Sequence, residues 1–164
     1  MDDPIAYFLT WATYGTWLPG DARGWVEYRH GWQLPDPLRE LEAKARMTED
    51  ACRLSQAERD AVQRQIAETC QHRGWRLYAV NCRSNHVHVV VSAGETPPAK
   101  IRGDLKAWAT RCLQQHASCL AHASGYDATR ENWWAERGSI RFLYDELSLD
   151  AAILYVAEGQ DFPR

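Results

Sequence analysis

Hydrophobic positions recur along this chain with two distinct periods. From Ile5 to Tyr14, IAYFLTWATY, aromatic and β-branched residues alternate roughly one in two, the period of a strand. Gly15, Pro19, Gly20 and Gly24 then mark turns. Residues 26–50 are mixed and polar and are broken at Pro35 and Pro37. They read as an insertion holding a short helix over 38–46. From Ser55 the period becomes helical: Ala57, Ala61, Val62, Ile66, Thr69 and Cys70 recur toward Gly74, the stop signal. Ser55 and Glu58 form a capping box at the start. Residues 75–82 alternate again, 83–85 make a tight turn, and His86–Ser92 (HVHVVVS) follows as a nearly apolar strand. Together these predict a hairpin.

Pro97 and Pro98 open a second helix, predicted over 98–119. Residues 133–144 read as a turn and strand, or as a second hairpin around Gly138. A third helix is predicted over Leu147–Glu158, with Ser148 as N-cap. The order β, insertion, α, β, β, α, β, α predicts one α+β domain over residues 1–164, an antiparallel sheet with helices on one face.

Charge alters the picture more than composition does. The formal net charge is −3, which read naively argues against a nucleic-acid partner. Yet residues 71–144 carry 10 basic and 5 acidic groups, between two acidic ends, so the total is a poor guide. Eight tryptophans suggest a surface that stacks or grips something. Five cysteines and an acidic N-terminus that does not resemble a secretory signal point to reduced thiols in the cytosol. No apolar run approaches the roughly 18 residues of a membrane span.

The sharpest local chemistry is Asn85-His86-Val87-His88. Residues i and i+2 of a strand face the same way, so two imidazoles project side by side. They form half of a divalent-metal site, or a pair of histidines on a half-buried strand. A zinc set of Cys70, His72, Cys82 and His86 matches the usual ligand spacings poorly. On the last helix Tyr155 lies one turn from Glu158. Helical periodicity reads it as a core aromatic, while a neighbouring metal would favour its nucleophilic phenolate.

These residues resemble a known family, the HUH single-tyrosine transposases of the insertion-sequence 200 type and their REP-associated relatives. His86-Val87-His88 in NHVHVVV matches the His-hydrophobic-His motif. Tyr155-Val156-Ala157-Glu158-Gly159-Gln160 is similar to the family's tyrosine stretch. The segments TWATYGTWLPGDARGWV and RGWRLYAVNCRSNHVHVVV look like the REP-associated branch, and the resemblance runs from about residue 5 to 160. It implies a ferredoxin-like sheet with the His motif on a central strand.

It also implies a bacterial, cytoplasmic, metal-dependent enzyme that cuts single-stranded DNA beside a hairpin. Tyr155 would be the nucleophile, and His86, His88 and a third ligand would hold Mg²⁺ or Mn²⁺. Family members complete the metal site with a Gln four residues past the tyrosine. Here that position is Gly159, flanked by Glu158, favoured by helical geometry and charge, and Gln160, favoured by the motif. Lys100, Arg102, Lys106, Arg111, Arg137 and Arg141 are the candidate phosphate contacts. Trp133 and Trp134 either stack on bases or fill the core. Relatives occur as monomers and as homodimers that exchange the tyrosine helix, and both arrangements stay open. So do two further readings, a hairpin-binding protein without cleavage and a metal-dependent phosphodiesterase for small substrates.

Overall fold

The computed structural model describes residues 2–124 and 130–158. Strand β1 (Ala6–Ala12) is followed by a small hairpin, β2 (Trp25–Glu27) and β3 (Gly31–Gln33), which forms a sheet of its own. Helix α1 (Pro37–Ala45) buries no residue. Asp36 caps it and Pro37 occupies its first turn, where a missing N–H costs nothing. Arg39 ties α1 to the hairpin, donating to Glu27 at 2.8 Å and lying over the Trp25 ring at 4.6 Å.

Helix α2 (Gln56–Arg73) begins with the predicted capping box, Ser55 and Glu58 each bonding the other's backbone N–H. It ends at Gly74, which takes the left-handed conformation that closes a helix without a Cβ penalty. Strands β4 (Arg76–Cys82) and β5 (His86–Ser92) form the expected hairpin, with a bulge between Leu77 and Ala79. Helix α3 (Pro98–Ser124) runs to the end of this described stretch. Strand β6 (Ser139–Leu143) pairs with β1. The alternative hairpin around Gly138 does not form: Trp134 makes only a single bridge to Thr13. Helix α4 (Glu146–Glu158) starts two residues before the predicted cap. Asp145 caps it, accepting from the Ser148 backbone N–H at 2.7 Å, and Ser148 Oγ donates to the other oxygen of the same carboxylate.

The four-stranded sheet has the order β4-β5-β1-β6, antiparallel throughout, which is the ferredoxin-like arrangement. Alternation gives it two packed faces. Tyr7, Leu9 and Trp11 of β1 and Val87, Val89 and Val91 of β5 meet Val62, Ile66, Ile101 and Leu105 of α2 and α3. Ala6 and Val90 on the reverse face meet Leu149, Ala152 and Val156 of α4. Helices therefore cover both faces. The expectation of a single covered face holds for α2 and α3 and fails for α4, whose apolar stripe binds the reverse side. No helix among the described residues is long and apolar enough to cross a membrane.

The segment before β6 is strapped to the sheet. Lys106 Nζ donates to the carbonyls of Ala135 and Arg137 at 2.8 and 3.0 Å, and Arg102 donates to that of Gly138 at 2.8 Å. Gly138 has φ +148°, and a Cβ there would collide with the Thr10 carbonyl and the Trp11 side chain. Gly138→Ala is expected to cost about 2–4 kcal/mol, lowering the unfolding midpoint by roughly 5–15 °C, as read by calorimetry.

Candidate active site

The His motif occupies β5, an inner strand. Val87 and Val89 enter the core beneath α2 and α3, so His86 and His88 project from the opposite face. The strand register aligns Ser139, Thr10, His88 and Asn81 in one row across the sheet, and Arg141, Phe8, Val90 and Ala79 in the next. Residues directly opposite one another share a face, so both rows belong to the His side of the sheet.

The two imidazole rings lie 4.6 Å apart between centroids. His86 Nδ1–H donates to Asn85 Oδ1 at 2.7 Å, and His88 Nδ1 pairs with the Thr10 hydroxyl at 2.7 Å. With its Nδ1 engaged by Thr10, the His88 ring would offer Nε2 to a cation. A second partner that fixes ring orientation in this way is the usual support of a metal-binding histidine. His88 is 7% exposed. Burial, helped by the charges of His86 and Arg83, pushes its pKa down to about 4 from the ordinary 6.5, so the ring is neutral at physiological pH and fit to coordinate.

That shift carries a stability consequence. Below about pH 6.5 the unfolded chain takes a proton at this position while the folded chain stays unprotonated until about pH 4. This contribution to stability is full above pH 6.5 and declines as pH falls toward 4. Denaturant titrations in chelator should show the decline, and His88→Gln should flatten it.

Helix α4 brings Tyr155 to this face. Burial of Leu149, Ala152 and Val156 leaves Tyr155 at the rim, 37% exposed. Its ring centroid lies 5.6 Å from that of His88 and 5.9 Å from that of Phe8, and Phe8 also touches His88 at 5.4 Å. Tyr155 and the His pair thus stand on one face of the sheet within the single chain. Asn81 Nδ2 donates to the Val156 carbonyl at 3.1 Å, tying the last turn of α4 to β4 beside His88. Sequence reading missed Asn81. Its signal was its place on an alternating strand, on the face that the His pair shares. Asn81→Ala is expected to cost about 1 kcal/mol of stability. It should slow any Tyr155 chemistry about tenfold by loosening alignment, read as a single-turnover rate with substrate affinity held.

The remaining expected site residues divide. Among the described residues no third His, Cys, Asp or Glu joins His86 and His88 in a metal-sized cluster. Glu158, exposed at the end of α4, is therefore not brought to the pair. Gln160 lies outside the described residues. The zinc set of Cys70, His72, Cys82 and His86 does not assemble either, and burial pushes the Cys70 and Cys82 thiols up to about 11 and 12.

The cations of α3 stand on the far side of the sheet from the His pair. Lys100 pairs with Asp104 at 2.8 Å, and Arg111 lies over Trp108 at 4.7 Å. Arg102 and Lys106 hold the strapped segment, and burial pushes Lys106 down to about 8. Arg141 is on the His face beside Phe8, and Arg137 lies over the Tyr28 ring at 3.6 Å. Of the two readings left open for the tryptophan pair, the structure selects core filling. Trp133 is 5% exposed, and Trp134 packs edge-on against Trp11 while donating to the Thr110 hydroxyl at 3.0 Å.

A solved REP-associated tyrosine transposase bound to a REP hairpin has a similar fold, with a TM-score of 0.51 and 11% identity over 95% of this chain. This chain spans 66% of that protein's length. A candidate transposase from Deinococcus radiodurans R1 is 17% identical over 96% of this chain and 91% of its own, with a TM-score of 0.47. No curated protein matches. The family model described as "Transposase IS200 like" matches residues 48–141, more than half of the chain and inclusive of the His pair. The chain belongs to the IS200-like transposase family.

Proposed function

We propose that the protein is a divalent-cation-dependent endonuclease and strand transferase for single-stranded DNA beside a hairpin, with Tyr155 as its nucleophile. One observation carries this reading: the Tyr155 ring stands against His88, with His86 beside it, on a single face of one chain. Membership in a transposase family supports it independently.

His86 and His88 would hold Mg²⁺ or Mn²⁺, with Asn85 and Thr10 setting the ring orientations. Such an ion, when bound, supplies charge stabilisation to a phosphate under attack. Arg141, next to Phe8 on the same face, is suited to hold a neighbouring phosphate. Tyr155 Oη attacks phosphorus, forming the P–Oη bond as the P–O3′ bond breaks. The phenol proton passes to solvent and the departing 3′-oxygen takes one up. The products are a 5′-phosphotyrosine and a free 3′-hydroxyl. Attack by a different 3′-hydroxyl reverses the step and joins new ends, and the diester bond energy is conserved without a nucleotide cofactor.

The test is incubation with hairpin oligonucleotides carrying unpaired flanks, with Mn²⁺ or with chelator. A cation-dependent protein–DNA adduct and a free 3′-hydroxyl are expected. Tight hairpin binding without an adduct at any cation concentration would make the protein a binding module. Turnover of small phosphodiesters without a protein-linked product would make it a hydrolase.

A further inference from the structure

The β2–β3 hairpin has no part in the site above, yet it carries an unusual cluster. Arg29 and Arg137 are the non-glycine residues with positive φ among those described, at +83° and +67°. For residues with a Cβ and no local side-chain compensation, that conformation costs on the order of 1 kcal/mol each. The two arginines are far apart in sequence, but both place their guanidinium groups on one ring, that of Tyr28, at 5.7 and 3.6 Å from its centroid. Tyr28 remains 64% exposed, so core burial does not account for the arrangement. Strained residues that converge on an exposed aromatic mark a surface shaped for a ligand.

The fold also fixes where this surface lies. The Arg137 carbonyl is held by Lys106, and the next residue, Gly138, abuts the Thr10 backbone. Ser139 stands opposite Thr10, whose hydroxyl holds His88. Two strand spacings, roughly 10 Å, separate β5 from β6. Tyr28 and its arginines thus lie beyond the start of β6, at the end of the sheet where β1 and β5 carry Thr10 and His88. Arg102 adds a third cation beside Arg137, where burial and the Arg137 charge lower its pKa. The nearby Glu27 carboxylate is engaged by Arg39 at 2.8 Å. Bound phosphates would relieve the crowding of like charges.

We propose that Tyr28, Arg29 and Arg137 form a subsite for the unpaired DNA next to the scissile phosphate, a base stacking on Tyr28 and the guanidinium groups meeting adjacent phosphates. The subsite rests on the catalytic reading for its location, while stacking and charge pairing are properties of this cluster alone.

The test compares a hairpin oligonucleotide alone with the same hairpin carrying an unpaired flank on either side. Tyr28→Ala should weaken binding of the flanked probe about 10- to 100-fold and leave the bare hairpin unchanged. Arg29→Gly and Arg137→Gly remove a cation and the backbone strain together. Each should keep or raise the unfolding temperature while lowering the salt dependence of flanked-probe binding by about one unit. Equal losses on both probes, no loss in any variant, or no preference of the wild type for the flanked probe would overturn the subsite. The two readings separate cleanly. A covalent adduct that forms without dependence on Tyr28 sinks only the subsite. Flank binding that depends on Tyr28, with no adduct, sinks only the catalytic reading.

Discussion

Tyr155→Phe is expected to abolish the covalent DNA adduct, a loss on the order of 10⁴-fold or more, while DNA binding and thermal stability stay at wild-type values. Phenylalanine keeps the ring that packs on Phe8 and His88 at 5.9 and 5.6 Å. It also keeps the helical position that Asn81 fixes through the Val156 carbonyl. Only the hydroxyl is removed. Trapping reactions resolved on denaturing gels read the outcome directly. An adduct that persists in the variant would assign the nucleophile to another residue. A variant that loses DNA binding as well would give Tyr155 a role in holding substrate.

His86→Ala is expected to lower cleavage by roughly 10²- to 10³-fold, the cost of losing charge stabilisation at a phosphate under attack. His86 is the better probe of the pair because it is only partly buried, whereas His88 also fills space between Phe8 and Thr10. Mn²⁺ affinity should fall with cleavage, by titration calorimetry, while hairpin affinity and unfolding temperature hold. Unchanged Mn²⁺ affinity would remove the His pair from the cation site. Unchanged cleavage would remove it from the reaction.

What the sequence made legible was local. Ser55, Glu58 and Gly74 signal their helix because caps act within one turn, and the structure shows each in its expected place. The His-Val-His alternation places both imidazoles on one face because strand geometry has a fixed period of two. Tyr155 is different. The periodicity of α4 reads it as a core aromatic, and only the family resemblance separated it from Val156, its buried neighbour.

What stayed illegible depended mostly on contacts remote in sequence. The α3 cations have the spacing of an exposed face, but nothing in that spacing says on which side of the sheet the helix docks. Lys106 reaches carbonyls at 135 and 137, about one-sixth of the chain away. The local sequence left Trp133 equally suited to stacking or core, and the Thr13–Trp134 bridge draws the segment inward. Ser148 lost the cap to Asp145 because the carboxylate reaches the free N–H groups one turn earlier. The Tyr28 cluster depends on Arg137 arriving from the far end of the chain, so no window around the insertion could reveal it.

The most direct measurement is mass spectrometry of the trapped, protease-digested protein–DNA adduct. A nucleotide linked through its 5′-phosphate to the peptide bearing Tyr155 is the expected result. Modification of any other residue, or cleaved DNA with no nucleotide on the protein, would contradict it.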